Sequence, residues 1–315
     1  MAVSVVLGGA GFLGSHLCEA LLSDHHRVIA IDDLSSGKIS NFTNFSANSK
    51  FTFLEQNICQ PIDLEQNIDY VFNFASPASP PHYLNHPIHT LQTGSIGTQN
   101  AIELALRKNA RLIQASTSEV YGDPAEHPQR ESYWGNVNPI GDRSCYDEAK
   151  RYSESLCMAY KQTRGLNLGI VRIFNTYGPR LDVHDGRVVS NFVNQALRND
   201  PITIYGSGQQ TRSFCYVSDL VNVILKLAIT GDSVVGPINI GNPNEFTVFE
   251  LAQLVIEKTQ SKSEIIFKDL PSDDPQRRCP DISLAKESLD WQPEVPLEVG
   301  IQYVIDWYKS QGVTS

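Results

Sequence analysis

The sequence predicts an α/β fold in which a doubly wound parallel sheet carries helices on both faces. Three observations support this prediction. Short apolar runs alternate with amphipathic stretches through the first half of the 315 residues, the runs are apolar throughout instead of alternating with polar residues, and a glycine-rich turn joins the first run to the first amphipathic stretch. Strands of a parallel sheet are covered on both faces, so they read as continuous apolar runs.

The predicted strands span residues 3–8, 27–32, 51–55, 69–75, 111–116 and 168–174, and the predicted helices between them lie near 12–23, 88–107 and 146–162. After Gly178-Pro179 the elements become shorter, with helices near 218–229, 247–258 and 298–310. We therefore predict a sheet domain over residues 1–174 and a smaller C-terminal lobe that binds substrate, mainly residues 175–315, with some of its segments returning to the main sheet.

The charge balance argues against nucleic acid and against an anionic membrane surface as partners. Acidic residues outnumber basic ones by 35 to 25, which gives a formal net charge of −10. The N-terminus carries no signal-peptide pattern and no apolar run is long enough to span a membrane, so the sequence predicts a cytoplasmic protein. Any anionic ligand must be held by local cations, and candidates in the second half are Arg172, Arg180, Arg187, Arg212, Arg277 and Arg278.

The stretch "LGGAGFLGSHL" follows the first strand and opens the first helix, as a dinucleotide-binding turn does. Its glycines, Gly8, Gly11 and Gly14, permit a tight turn and the approach of a pyrophosphate to bare backbone at a helix N-terminus. Asp32 ends the second strand, where a carboxylate accepts the ribose hydroxyls of NAD and repels the extra phosphate of NADP. The turn predicts a Rossmann-type sheet that binds NAD.

Tyr146 and Lys150 lie four residues apart in "RSCYDEAKR", so a helix would project both from one face. A lysine ammonium near a tyrosine favours the phenolate, and we expect it to lower the pKa of Tyr146. That phenolate can take a proton from a sugar hydroxyl beside a nicotinamide, with Thr117 donating a second hydrogen bond to the same oxygen. The pair predicts a dehydrogenase-type site.

His82, His86 and His89 have spacings that suggest metal ligands. Prolines interrupt the helix which that spacing needs, at Pro80, Pro81 and Pro87. The chemistry of a tyrosine and lysine pair also needs no metal, so we predict none.

Several longer strings run in order along nearly the whole chain, namely "ASPASPPHY", "STSEVYGDPAEHPQ", "YWGNVNPIG", "RSCYDEAKR", "RIFNTYGPR", "DGRVVSNF", "QTRSFCYVSDL" and "DDPQRRCPDI". With the glycine turn and the tyrosine and lysine pair, the chain resembles extended short-chain dehydrogenases/reductases that act on nucleotide sugars. More narrowly it resembles the UDP-glucuronate decarboxylases, a group that makes UDP-xylose. The resemblance implies a lyase that decarboxylates UDP-glucuronate and uses NAD as a recycled cofactor.

The catalytic residues that the resemblance implies are Thr117, Ser118, Glu119, Tyr146, Lys150 and Arg278. Sugar dehydratases of the family have Thr-Asp-Glu where this chain has Thr117, Ser118 and Glu119, and their Asp protonates the departing C6 hydroxyl. Ser118 is too weak an acid for that step. A C6 carboxylate beside a C4 ketone needs no such acid to leave as carbon dioxide, which favours decarboxylation.

Glu119 and Arg278 are implied in the decarboxylation half of the cycle. Glu119 would orient the sugar ring or relay a proton to C5, and Arg278 would position the substrate carboxylate, because a guanidinium rarely gives up its proton. The alternative for Arg278 is an ion pair with Asp273 or Asp274.

The resemblance also implies the binding residues. The cofactor set is Gly8, Gly11, Phe12, Leu13, Gly14, Asp32, Asp33, Ser36, Gly37, Lys38, Asn57, Ile58, Phe74, Ala75, Ser76, Thr93, Tyr146, Lys150, Thr176 and Arg187. The substrate set is Ala78, Tyr83, Thr117, Asn175, Val189, Thr203, Tyr205, Gln210, Arg212 and Arg278.

Two departures from the family pattern bear on affinity and rate. The family commonly has Lys-Thr-Asn where this chain has Gln92, Thr93 and Gly94, and Asn57 stands where an Asp often meets the adenine. A nucleotide-sugar 4-epimerase and a 4,6-dehydratase are the alternatives within the enzyme class, and a non-catalytic NAD-sensing regulator is the alternative outside it. The resemblance further implies a homodimer in which helices 88–107 and 146–162 pack on their copies as four helices.

Overall fold

The computed structural model describes residues 1–269 and 277–313. In chain order the strands are β1 (Val3–Leu7), β2 (Arg27–Asp32), β3 (Phe51–Glu55), β4 (Tyr70–Asn73), β5 (Arg111–Thr117), β6 (Leu168–Ile173), β7 (Thr176–Tyr177), β8 (Ile202–Tyr205), β9 (Thr211–Ser213), β10 (Cys215–Tyr216), β11 (Ile238–Ile240), β12 (Glu245–Thr247), β13 (Ile265–Lys268) and β14 (Arg277–Arg278). The helices are α1 (Phe12–Ser23), α2 (Pro80–Asn85), α3 (Pro87–Gln92), α4 (Thr98–Lys108), α5 (Ser144–Arg164), α6 (Val188–Leu197), α7 (Val217–Ile229), α8 (Val248–Thr259), α9 (Ser283–Leu289) and α10 (Leu297–Ser310).

The main sheet has the strand order β11-β6-β5-β4-β1-β2-β3, and every neighbouring pair is parallel. Alternate side chains of its strands enter two separate apolar clusters, as the period of two in a strand requires. Val6 and Phe72 face a cluster completed by α1 and α7, whereas Val5 and Val71 face one completed by α4 and α5. The sheet is therefore covered on both faces, and the predicted Rossmann-type α/β fold is confirmed.

The segment predicted as one helix over residues 88–107 is divided in the structure. Residues Thr93–Gly97 form a π-helical turn between α3 and α4. Gly94 in this turn packs against α5, where a Cβ on Gly94 would lie 2.6 Å from the Cβ of Ala149. A side chain at position 94 would therefore collide with the methyl group of Ala149.

Among the α-helices of the described residues, α2, α6 and α9 were not predicted. Pro80 and Pro81 begin α2. Proline is tolerated there because the N–H groups of a helix's first turn have no acceptor within the helix. The chain does break at His86, and Pro87 then begins α3.

The C-terminal half adds small sheets and a third apolar cluster. β8 pairs with β13, and the sheet β12-β9-β14 joins three short strands. Within this sheet Arg278 of β14 is the register partner of Arg212 of β9. Helices α6, α8 and α10 enclose the third cluster, while β11 lies at the edge of the main sheet. The division of the chain near residue 175 stays a prediction.

Among the helices of the described residues, none is both long enough and apolar enough to cross a membrane.

Candidate active site

A cleft with a cavity volume of about 800 Å³ opens at the carboxyl ends of the main-sheet strands, where ligands bind in open α/β sheets. Predicted residues that line it are Gly8, Gly11, Phe12, Leu13, Gly14, Ser36, Lys38, Phe74, Ser76, Ala78, Tyr83, Thr117, Ser118, Glu119, Tyr146, Lys150, Asn175, Thr176, Arg187, Val189, Thr203, Tyr205, Gln210, Arg212 and Arg278. A smaller recess that shares Gly8 and Gly11 is lined by Asp32, Asp33, Ile58, Ala75 and Thr93. Gly37 and Asn57 line neither.

The glycine turn is tightly packed at Gly8 and Gly14, and at Gly11 it leaves the start of α1 uncovered. A Cβ on Gly8, which has φ +77°, would lie 2.7 Å from the backbone of Ala75, and a Cβ on Gly14 would lie 2.0 Å from the Gly8 oxygen. Gly11 is the residue that precedes α1, and it has no side chain to cover the helix N-terminus. Uncovered N–H groups at this end fit the pyrophosphate of a dinucleotide.

Asp32 supplies the carboxylate expected at the ribose. Its oxygens accept hydrogen bonds from the N–H of Ala10 (3.0 Å) and of Leu34 (2.9 Å), and burial raises the pKa of this carboxyl. Gly37 passes so close that a Cβ there would lie 2.8 Å from an Asp32 oxygen. Asn57 instead donates to the side chain of Asp33 at 2.9 Å, which fixes the end of the recess. These residues fit the adenosine half of NAD.

Tyr146 and Lys150 lie one turn apart near the start of α5, and both side chains are buried. The Lys150 Nζ lies 5.8 Å from the centre of the Tyr146 ring and donates to the Ala115 carbonyl at 3.0 Å. Burial lowers the pKa of Lys150 to about 8. Burial also raises the pKa of Tyr146, against the hydrogen bond from Thr117. The predicted lowering of the Tyr146 pKa is therefore wrong for the protein alone, because removal of the phenolate from water outweighs nearby groups.

Tyr83 stacks on the Tyr146 ring with the ring centres 5.1 Å apart and the planes within 8°. Tyr83 is buried, and the loss of solvent raises its pKa to about 12. This stacking holds the Tyr146 ring in one orientation against the wall of the cleft.

Glu119 lies between two guanidinium groups. Arg143 Nη2 donates to Glu119 Oε2 at 2.5 Å, and Arg278 Nη1 donates to Glu119 Oε1. Arg278 also reaches Ser118 Oγ at 3.5 Å and the Gly122 carbonyl at 3.3 Å. Burial lowers the pKa of Arg278 to about 10. Aspartates 273 and 274, the alternative partners, lie outside the described residues.

Arg143 is the main residue of the site that sequence reasoning missed. It lines the cleft three residues before Tyr146, in a motif whose tyrosine and lysine were recognised. Two arginines that were suggested as ligand cations pair with acids of the protein, although Arg180 also lines the cleft. Arg172 donates to both oxygens of Glu154, at 2.9 and 2.7 Å, and Arg180 pairs with Glu19.

The far end of the cleft is formed by the C-terminal half. Thr203 and Tyr205 come from β8, Arg212 comes from β9, and the Gln210 amide donates to the Tyr205 carbonyl at 2.6 Å. Tyr205 is 44% exposed and lines the cleft, so its ring can stack on a base. Polar groups and an aromatic ring suit a nucleotide here.

The geometry is that of an enzyme that binds a dinucleotide beside a second, polar substrate. Residues 4–241 match the NAD dependent epimerase/dehydratase family, and the chain belongs to this family. UDP-glucuronic acid decarboxylase 1 of Xenopus tropicalis is 48% identical over 307 residues, which cover 98% of this chain and 72% of that protein. UDP-glucuronic acid decarboxylase 6 of Arabidopsis thaliana is 49% identical, covering 94% of this chain and 86% of that one.

Solved structures of the same fold include the UDP-glucose 4-epimerase of Thermotoga maritima with UDP-glucose. It has a TM-score of 0.88 and 30% identity over 98% of this chain and 99% of that chain. A mutant UDP-glucuronic acid 4-epimerase of Bacillus cereus, in complex with a fluorinated UDP-glucuronic acid analogue and NAD, has a TM-score of 0.85 and 27% identity over the same shares.

Proposed function

We propose that this chain converts UDP-glucuronate to UDP-xylose and carbon dioxide with NAD as a recycled cofactor. The observation that carries the proposal is the arrangement of Arg143 and Arg278 around Glu119, at the end of the cleft that holds Tyr146. Both arginines line the cleft beside Glu119, and their guanidinium groups can bind the carboxylate of a sugar acid through paired hydrogen bonds. The decarboxylase relatives, at 48–49% identity, support the same reaction.

Tyr146, Thr117 and Lys150 act at the C4 hydroxyl of the sugar. Bound NAD would supply the hydride acceptor for C4 of the sugar and, once reduced, the hydride donor, so the reaction would have no net redox change. Tyr146 accepts the proton of the C4 hydroxyl, with Thr117 hydrogen-bonded to the same phenolic oxygen. Lys150 adds a positive charge 5.8 Å from the Tyr146 ring, which favours the phenolate.

Oxidation at C4 leaves the C6 carboxylate one carbon away from a ketone. The C5–C6 bond then breaks, carbon dioxide leaves, and the electron pair is held as an enolate at O4. Tyr146 and Thr117 donate to this oxygen, after which C5 takes a proton from water and Tyr146 returns its proton to O4 as the C4 ketone is reduced. Arg278 positions the carboxylate, and Glu119 holds Arg278 in place through their ion pair. Ser118 offers no acid for the departure of a C6 hydroxyl, which disfavours a 4,6-dehydratase.

A 4-epimerase is the second candidate, because the solved neighbours include 4-epimerases with TM-scores of 0.85 and 0.88. An epimerase of UDP-glucuronate would use the same carboxylate partner and keep the carboxylate on the product. A non-catalytic NAD-sensing regulator would not need Tyr146 and Lys150 one helical turn apart beside the cleft.

Product analysis separates these candidates. The chain is incubated with UDP-glucuronate and NAD, and the nucleotide sugars are separated and weighed by mass spectrometry. Decarboxylation gives a UDP-pentose and carbon dioxide, and a Tyr146→Phe variant gives neither. A UDP-hexuronate epimer, or intact substrate, would overturn the proposal.

We further propose that the chain acts as a homodimer in the cytoplasm. Apolar side chains are exposed along the surface formed by α3, the π-helical turn and α5, namely Ile88, Leu91, Ile96 and Tyr152. A four-helix interface with a second copy would cover them. All six cysteines, which lie in the described part of the chain, are free thiols, in keeping with a reducing compartment.

A further inference from the structure

Within the described residues, a second group of chemically reactive side chains lies outside the cleft. His127, Glu245 and Cys279 bring an imidazole nitrogen, a carboxylate oxygen and a sulfur within 4.8 Å of one another. We propose that these three side chains bind one divalent cation of the zinc class. The inference does not depend on the proposed reaction.

The ligand types select the kind of ion. Imidazole, carboxylate and thiolate are the ligands that Zn²⁺ takes in proteins, and three protein ligands with one water complete its tetrahedron. Mg²⁺ and Ca²⁺ favour sites made of oxygen alone. His127 Nε2 and Glu245 Oε2 are 2.9 Å apart and share a hydrogen bond. The cation would replace the shared proton and separate these two atoms to about 3–4 Å, which bond lengths near 2 Å to the metal require.

The three side chains are held together before any ion binds. Glu245 begins β12 and Cys279 follows β14, and both strands pair with β9. The loop of His127 is tied to Cys279 by two hydrogen bonds, since the Gln129 N–H donates to the Cys279 carbonyl at 2.9 Å and the Cys279 N–H donates to Gln129 Oε1 at 3.0 Å. Thr211 Oγ1 donates to the other oxygen of Glu245 at 2.5 Å, which orients the carboxylate.

Solvent reaches the cluster from one side. The side chains of His127 and Glu245 are 31% and 27% exposed, while Cys279 is buried beneath them. Burial, with the charges of Glu245 and Asp281, raises the pKa of Cys279 to about 11, so the free protein holds a thiol that donates to the Pro243 carbonyl at 3.3 Å. Coordination forms a sulfur–metal bond and releases the thiol proton to water.

The position of the cluster gives binding a structural consequence. Cys279 directly follows Arg278, whose guanidinium pairs with Glu119 in the cleft. A bound cation joins the loop of His127 and strand β12 to the end of β14. It would therefore restrain the backbone that carries Arg278.

Calorimetric titration of the full chain with zinc chloride tests the proposal. We expect saturable binding of one Zn²⁺ per chain, an increase in Tm, and a loss of affinity of about 10-fold or more in Cys279→Ser, His127→Gln and Glu245→Gln. Cys59→Ser is the matched control, since it removes a thiol from another part of the chain and should bind zinc as the native chain does.

Cobalt chloride gives a test on the unaltered chain, which does not depend on the folding of a variant. Co²⁺ bound in this site should show the absorption of a thiolate-to-cobalt charge transfer, and zinc should displace it. Absence of saturable zinc binding, a cobalt spectrum without the thiolate band, or native affinity in Cys279→Ser would each overturn the proposal.

Discussion

Arg143 Nη2 lies 2.5 Å from Glu119 Oε2, on the opposite side of the carboxylate from Arg278. The two arginines reach Glu119 from distant parts of the chain, one at the start of α5 and the other in β14. Glu119 itself lies in the short 3₁₀ turn that follows β5. One carboxylate therefore contacts both cations.

Replacement of Arg143 tests this relationship. Lysine keeps the charge but loses the planar fork that fits a carboxylate, so in Arg143→Lys we expect Glu119 and Arg278 to shift. A misplacement of about 1 Å can lower the rate about 100-fold, and the fall should appear in kcat for UDP-glucuronate with NAD affinity unchanged. Arg164→Lys, at the exposed end of the same helix, is the control. Wild-type kcat in Arg143→Lys would show that Arg143 does not act on the reaction.

The pH dependence of turnover tests Lys150. Because its pKa is lowered to about 8, the ammonium is present below about pH 8 and is lost as the pH rises through that value. Support for the Tyr146 phenolate falls with it, so kcat/KM, which reports the enzyme before the sugar binds, should decline on the alkaline side with an apparent pKa near 8. Lys150→Arg keeps its charge over the whole range and should remove that decline, even with a lower maximum. Lys161→Arg, on the same helix, should keep the native profile, and an alkaline limb unchanged in Lys150→Arg would assign it to another group.

Binding of NAD without substrate tests Asp32. Asp32→Asn keeps the shape of the side chain and removes the charge that accepts ribose hydroxyls, so NAD should bind about 10-fold more weakly and NADP should be rejected less. Calorimetric titration of each dinucleotide measures both effects. Asp24→Asn, at the exposed residue that follows α1, is the matched control. Equal preference for NAD over NADP in the variant and the native chain would contradict the role.

The contact between Gly94 and Ala149 is open to a double-mutant cycle. Gly94→Asn forces a Cβ to within 2.6 Å of the Ala149 methyl, and overpacking of this kind lowers the free energy of unfolding by about 1–3 kcal/mol. Adding Ala149→Gly should recover part of the loss, since the clash is removed while helix propensity falls by about 1 kcal/mol. Urea unfolding measures the four members of the cycle.

Gly165→Asn is the control for this cycle. Gly165 follows α5 with φ +67°, nothing lies within 4 Å of its Cβ position, and asparagine tolerates this conformation. It should unfold close to the native midpoint. Additive effects of Gly94→Asn and Ala149→Gly would mean that the two positions do not share the space between the π-helical turn and α5.

Replacement of Ile88 tests the proposed dimer, because it should lower the mass of the particle in solution. Ile88 of α3 is 71% exposed, and a glutamate there would bury a charge in the interface at a cost that outweighs the pairing. Sedimentation equilibrium at micromolar concentration should give a dimer for the native chain and a monomer for Ile88→Glu. Ile266→Glu, on β13, should leave the dimer intact. A native monomer would remove the proposal.

Six of the seven strands in the main sheet were predictable because each is a largely apolar run, whereas the three-residue strand β11 was missed. The bounds of β2 and β3 match the predictions, and β1, β4, β5 and β6 differ by two residues or fewer at either end. The missed helix α2 begins with two prolines, which read as a break when the first turn is not considered. The helix α6 begins without a side-chain cap, so no start signal preceded it.

The chemistry of the site was less predictable than its location. Motifs identify the residues that share a local spacing, such as Tyr146 and Lys150, but spacing cannot show that Arg143 meets a carboxylate 24 residues away. Nor can it show burial, which reverses the expected direction of the Tyr146 pKa shift. Arg172 illustrates the same limit, because its partner Glu154 lies on another element.

Arg278 and Arg212 are register partners in neighbouring parallel strands, which lie about 4.8 Å apart. One arginine would meet the diphosphate and the other the sugar acid, so one backbone ladder joins these two proposed contacts. Binding free energy gained at the nucleotide would then help to hold the carboxylate of the sugar in position for the reaction. Glucuronate 1-phosphate, which lacks the uridine end, should consequently show a lower kcat as well as weaker binding.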